Sequence, residues 1–150
     1  MRTYEDFTEG LELPLGPYMV TLEEVLEFAR EFDPQPFHLD EQAGRDSMLG
    51  GLSASGWHTC AMMMRMMADS YVRDSGSQGS RGVDFVKWLR PVRPGDVLTG
   101  TATVGSRRLS PKRPTLGVAK IVTVIRNQRD EPVLESEYTL LLLTRAGVAA

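Results

Sequence analysis

The alternation of apolar and polar residues divides the chain into a helical first half and a strand-rich second half. Leu22, Val25, Leu26 and Ala29 recur at the spacing of one helix face. Thr21-Leu22-Glu23-Glu24 has the form of a capping box, with Thr21 as the cap and Glu24 reaching back to its backbone N–H. This helix is predicted to stop near Phe32, because Pro34 and Pro36 lack backbone donors and disfavour helical geometry before them. Asp40 can cap a short helical turn over residues 41–45, and the Gly- and Ser-rich stretch 48–55 predicts a loop. Gly56 opens a longer helix through about Val72. Its Met62, Met63, Met66 and Met67 fill one broad apolar face, with Arg65 and Asp69 on the others. Methionines in such a run are expected to fill the core.

Residues 74–80, Asp-Ser-Gly-Ser-Gln-Gly-Ser, predict a flexible surface loop. Four runs rich in β-branched residues follow, at 83–88, 97–107, 115–126 and 133–144. Pro94-Gly95-Asp96, Pro111-Lys112-Arg113-Pro114 and Asn127-Gln128-Arg129-Asp130 mark the turns between them. Those lengths and gaps suit an antiparallel meander, joined by an earlier strand near residues 11–20. An apolar helix in a chain otherwise made of strands is expected to be wrapped by their sheet, giving an α+β architecture.

The length of 150 residues fits one domain, 1–150, large enough to bury a core without a covalent staple. The single cysteine, Cys60, excludes an intrachain disulfide and a zinc site built from several thiolates. A net charge of −3 carries no electrostatic footprint for nucleic acid. Charges interrupt every apolar stretch before the roughly 18 residues needed to cross a bilayer. The N-terminus places Glu5 and Asp6 where a secretory signal would have its apolar core, so a cytoplasmic location is expected.

Chemistry concentrates in Phe32-Asp33-Pro34-Gln35-Pro36-Phe37-His38-Leu39-Asp40. Two prolines predict a stiff, non-helical connection that holds an acid, an amide and an imidazole close together. Acid–base catalysis on a water molecule needs one group to take a proton and one to deliver a proton. A carboxylate and a histidine suit both tasks near neutral pH. Spacing alone leaves a plainer alternative, in which Asp33 initiates a turn and His38 is a surface residue. The chain has only two histidines, and His58, in the first turn of the long helix, is expected to pack or cap. Trp57 can line a ligand pocket or fill the interface between helix and sheet, and packing at the interface is the favoured reading.

Asp-x-Gln-Pro-x-His, after a short helix and before a loop and a Met-rich helix, resembles the hydratase motif of the MaoC-like family, usually written Asp-x-Asn-Pro-x-His. The likeness spans nearly the whole chain and includes Ala54-Ser55-Gly56-Trp57-His58 and Leu89-Arg90-Pro91-Val92-Arg93-Pro94-Gly95-Asp96. It implies a hotdog fold, an antiparallel sheet wrapped around a long central helix. It also implies (R)-specific hydration of trans-2-enoyl-CoA, or the reverse dehydration of 3-hydroxyacyl-CoA. Asp33 and His38 would be catalytic, His38 activating the water and Asp33 completing proton transfer to the α-carbon. The Gly56 N–H would receive the thioester oxygen, and Gln35 would take the place of the family's asparagine at the substrate-binding side. Ser55 stands where relatives often have histidine.

The family pairing of such units implies a homodimer, with acyl-CoA or an acyl carrier protein thioester as partner in the reaction and no cofactor or metal. Arg107, Arg108, Lys112 and Arg113 form the densest basic cluster. It could meet coenzyme A phosphates or be a solvated hairpin edge. Two other functions fit the same scaffold: an acyl-CoA thioesterase, and a non-catalytic acyl-CoA-binding protein.

Overall fold

The computed structural model describes all 150 residues. Five strands form one antiparallel sheet in the order β1-β3-β4-β5-β2, with β1 at Glu12–Met19, β2 at Ser77–Trp88, β3 at Val97–Leu109, β4 at Leu116–Arg126 and β5 at Pro132–Leu143. Between β1 and β2 lie α1 (Leu22–Phe32), α2 (Pro36–Leu39), α3 (Glu41–Asp46) and α4 (Gly56–Met67). A short α5 (Arg145–Val148) closes the chain. No helix is long and apolar enough to cross a membrane.

Strict alternation along β4 puts Ala119, Ile121, Thr123 and Ile125 on the buried face and Val118, Lys120, Val122 and Val124 on the other. The buried face of the sheet packs on α4 through Met62, Met63, Met66 and Met67, all buried. Each such side chain contributes about 1.5–3 kcal/mol by leaving water. The flexible thioethers let one helix fit a curved, twisted sheet. This is the hotdog arrangement that the sequence resemblance implied.

Most predicted elements fall within a few residues of those observed, and the differences have local causes. The α-helical part of the central helix ends at Met67, and Ala68–Val72 widens into a π turn in which the Arg73 N–H bonds the Ala68 carbonyl. The expected loop at 74–80 is wrong over its second half. Residues 77–80 already pair with Leu142 and Leu140 of β5, across register shifts that absorb the glycines. The Pro34–Pro36 connection is not wholly non-helical, because Pro36 occupies the first position of α2, where its missing N–H costs nothing. Thr21 does cap α1 by accepting from the Glu24 N–H, but the Glu24 carboxylate takes the Thr21 and Tyr18 hydroxyls rather than a backbone donor.

Inside the core the Tyr71 and Tyr138 hydroxyls pair at 2.7 Å, joining the π turn to β5. Burial pushes both phenols up, Tyr138 to about 12. Removing one hydroxyl leaves its partner without a mate in an apolar interior. Tyr71→Phe is expected to lose about 1–3 kcal/mol of stability in urea denaturation. The double variant with Tyr138→Phe should recover part of that loss, giving a non-additive cycle.

Candidate active site

Asp33 is the C-cap of α1. Its N–H closes the last helical bond to the Ala29 carbonyl, after which Pro34 turns the chain away. Two residues later Pro36 restarts a single helical turn, which carries His38 back toward Asp33. The His38 Nε2 and Asp33 Oδ2 atoms lie 3.4 Å apart, both side chains largely shielded from solvent. The geometry therefore brings together the acid and the imidazole that spacing alone could not pair.

The tautomer of His38 follows from its other nitrogen. Nδ1 sits 2.7 Å from the Ser53 carbonyl oxygen, which can only accept, so Nδ1 carries the hydrogen. In the neutral ring Nε2 then presents its lone pair beside Asp33 Oδ2. Asp33 itself receives two donors, Ser55 Oγ at 2.6 Å on Oδ2 and Gln35 Nε2 at 2.7 Å on Oδ1. Burial pushes the Asp33 carboxyl up, but these two hydrogen bonds, together with the positive charge of the His38 ring when it is protonated, outweigh it and hold the pKa below the ordinary carboxylate value. Asp33 is thus ionised at neutral pH, able to accept a proton and not to supply one of its own.

A pocket of about 350 Å³ opens beside the pair, lined among others by Asp33, His38, Gly56, Trp57, Trp88 and Val92. Gly56 starts α4, whose first-turn N–H groups have no intrahelical acceptor. The glycine also has a packing reason, since a Cβ there would come within 2.7 Å of the Trp88 ring, whose Nε1 donates to the Gly56 carbonyl at 2.9 Å. Of the two places open to Trp57, it takes the pocket lining and not the favoured helix–sheet interface. It is 65% exposed and meets Trp88 edge to face at 5.2 Å, so the two indoles form an apolar rim. Gln35 lines the pocket too, with its Nε2 donating to Asp33.

His58 lies apart from this pocket. Its ring stacks on Phe28 at 4.7 Å, with Nε2 3.5 Å from Glu24, and burial lowers its pKa against the opposing pull of that carboxylate. It packs α1 against α4, as a first-turn histidine was expected to do. Arg93 has a role that its sequence position did not disclose. Its guanidinium donates to the carbonyls of Leu49 and Leu52 and to Ser53 Oγ, while its backbone N–H is held by buried Asp96. The loop that presents the Ser53 carbonyl to His38 is therefore clamped from the turn between β2 and β3.

Comparison with known proteins assigns the family. A family model described as "MaoC like domain" matches residues 12–125. The chain belongs to the MaoC-like family. The solved structure of a MaoC-like dehydratase from Rhodospirillum rubrum is similar over 97% of this chain and 99% of its own, at 37% identity and a TM-score of 0.90. The unliganded R-hydratase PhaJ1 from Pseudomonas aeruginosa is similar over 95% of this chain and 86% of its own, at 25% identity and a TM-score of 0.75. An uncharacterized protein of Bacillus subtilis, YdeM, is 28% identical over 139 residues, covering 92% of this chain and 96% of YdeM. In this MaoC-like chain the motif's asparagine is replaced by Gln35 and the residue before the helix glycine is Ser55, and both donate to the same carboxylate.

Ser55→Ala should raise the Asp33 pKa, read as the midpoint of its carboxyl carbon shift in an NMR titration. Because the folded pKa of Asp33 is depressed, its contribution to stability is present above the unfolded value and fades as pH falls through the folded one. The stability gap between wild type and Ser55→Ala is accordingly expected to narrow in denaturation experiments as pH falls from neutrality through the ordinary carboxylate range and the depressed folded value of Asp33. A gap independent of pH would mean that Ser55 acts by packing alone.

Proposed function

We propose that the chain is a hydro-lyase that adds water to trans-2-enoyl-CoA to give (R)-3-hydroxyacyl-CoA, or catalyses the reverse dehydration. The observation that carries this reading is the convergence of His38 Nε2 and Asp33 Oδ2, 3.4 Å apart, on one wall of a pocket entered past two indoles. The likeness to MaoC-like dehydratases and to an R-hydratase supports it. The enoyl thioester enters with its carbonyl toward the start of α4, where the Gly56 N–H receives the charge that builds on oxygen. A water molecule held by the pair attacks the β-carbon, and its proton passes to His38 Nε2. The proton needed at the α-carbon comes from the His38–Asp33 pair, now carrying the proton taken from water. The site returns to an ionised Asp33 and a neutral His38, so the addition is balanced.

In this scheme Asp33 hands on a proton only after the pair has received one, consistent with the donors that hold it ionised. Gln35 positions Asp33, and its contact with substrate is secondary. The chemistry uses no cofactor, and coenzyme A or an acyl carrier protein serves as the thioester's carrier. The functional unit is a homodimer. β2 is an edge strand, mostly exposed along its length, and the outer face of α4 carries Trp57, Ala61 and Met64 in solvent beside it. A second copy pairing along β2 would cover both. A cytoplasmic location fits an acyl-thioester substrate.

Purified protein is expected to hydrate crotonyl-CoA, followed as loss of enoyl absorbance. Asp33→Asn and His38→Gln should each lower kcat by about 10²- to 10⁴-fold, the range for a positioned acid–base group. Release of free thiol from saturated acyl-CoA would instead favour a thioesterase, and tight binding of enoyl-CoA without conversion a non-catalytic role. Full activity in either variant contradicts the mechanism.

A further inference from the structure

Away from the pocket, one region carries positive charge that nothing in the protein balances. Most of the 17 Lys and Arg side chains are engaged. Arg65 and Arg73 hold Asp69, Lys120 holds Asp84 and Glu137, and Arg129 holds Glu131. Arg107 belongs to the basic cluster seen in the sequence, yet it turns inward to the carbonyls of Tyr4 and Phe7 and covers the Tyr4 ring. Its neighbours Arg108, Lys112 and Arg113 make no side-chain hydrogen bond or ion pair. Arg81 of β2, brought beside them by the fold, makes none either. These four surround two adjoining concavities of about 280 and 440 Å³, which share Arg81, Arg108 and Val118 and have no carboxylate in their linings. Val118 and Leu141 supply apolar surface in the first of them.

Four uncompensated cations in one place repel one another, and a chain of net charge −3 has acids enough to intersperse them. Guanidinium forks match phosphate oxygens two at a time, and a nearby ammonium adds an unoriented charge. We propose that Arg81, Arg108, Lys112 and Arg113 form a binding site for an organic molecule bearing more than one phosphoryl group. The site is separate from the Asp33–His38 pocket. Val118 lies on the sheet face turned away from α4, and Arg81 stands seven positions before Trp88 on β2, up to about 23 Å along an extended strand. Two sources share this chemistry: the nucleotide phosphates of a coenzyme A thioester, which rests on the function proposed above, and a free phosphorylated metabolite.

The test is calorimetric titration of wild type and the Arg81→Glu/Arg108→Glu double variant with inorganic pyrophosphate and with adenosine bisphosphate, at low ionic strength. Wild type should bind at least one probe. The variant, its fold checked by circular dichroism, should bind about tenfold more weakly or worse. Binding should weaken on raising salt to about 0.15 M. Absence of binding to both probes, or equal binding by wild type and variant, overturns the proposal. A kinetic arm separates the sources. A KM raised in the variant for enoyl-CoA but not for the matching enoyl-pantetheine assigns the site to the carrier's phosphates. Unchanged KM values alongside lost pyrophosphate binding assign it to a free metabolite. If no thioester is hydrated at all, the hydratase reading falls and the titration still decides this site.

Discussion

The hydrogen bond from His38 Nδ1 to the Ser53 carbonyl determines what the candidate site can do, because it leaves the only lone pair of the neutral imidazole on Nε2, facing Asp33. A backbone carbonyl cannot switch between donor and acceptor, so the choice of tautomer is built into the fold rather than into a side chain that could rotate away. That carbonyl is itself held, since Arg93 gathers the loop from Leu49 to Ser53 and is anchored through Asp96. A chain of hydrogen bonds thus runs from the turn before β3 to the His38 ring.

Asp33 is governed by the opposite kind of arrangement. It stands at a helix C-terminus, where the backbone dipole favours cations and gives a carboxylate no help. The two donors from Ser55 and Gln35 supply the missing stabilisation, one on each oxygen. The two departures from the usual family pattern are therefore linked by structure, since both act on one carboxylate. Together they hold an ionised Asp33 beside the Nε2 atom of His38. In the proposed reaction such a pair orients and deprotonates a single water molecule.

Much of this was legible in the chain. The capped helix, the Met-rich helix and the β-branched runs carry strong local signals, and they appear close to where periodicity puts them. The start of β2 was hidden because Gly79, Ser80 and Gly82 have no strand preference, and only pairing with β5 extends the strand over them. The catalytic candidates were visible as residue types between two prolines, but their convergence depends on Pro36 restarting a helical turn. Ser55 and Arg93 could not have been assigned from the sequence. Their partners lie 22 and 40 residues away along the chain, distances that only the folded sheet and helix bring into contact. The choice between pocket and interface for Trp57 was likewise open in the sequence, because a tryptophan beside a helix start gives no sign of which side faces solvent.

In the proposed reaction one wall of the pocket supplies both the hydroxyl and the proton. The most direct measurement is the stereochemistry of hydration of crotonyl-CoA in deuterium oxide, read by NMR of the product. Delivery from a single wall predicts syn addition, with deuterium at the α-carbon on the same face as the new hydroxyl and R configuration at the β-carbon. Anti addition would require acid and base on opposite faces of the double bond and would contradict it.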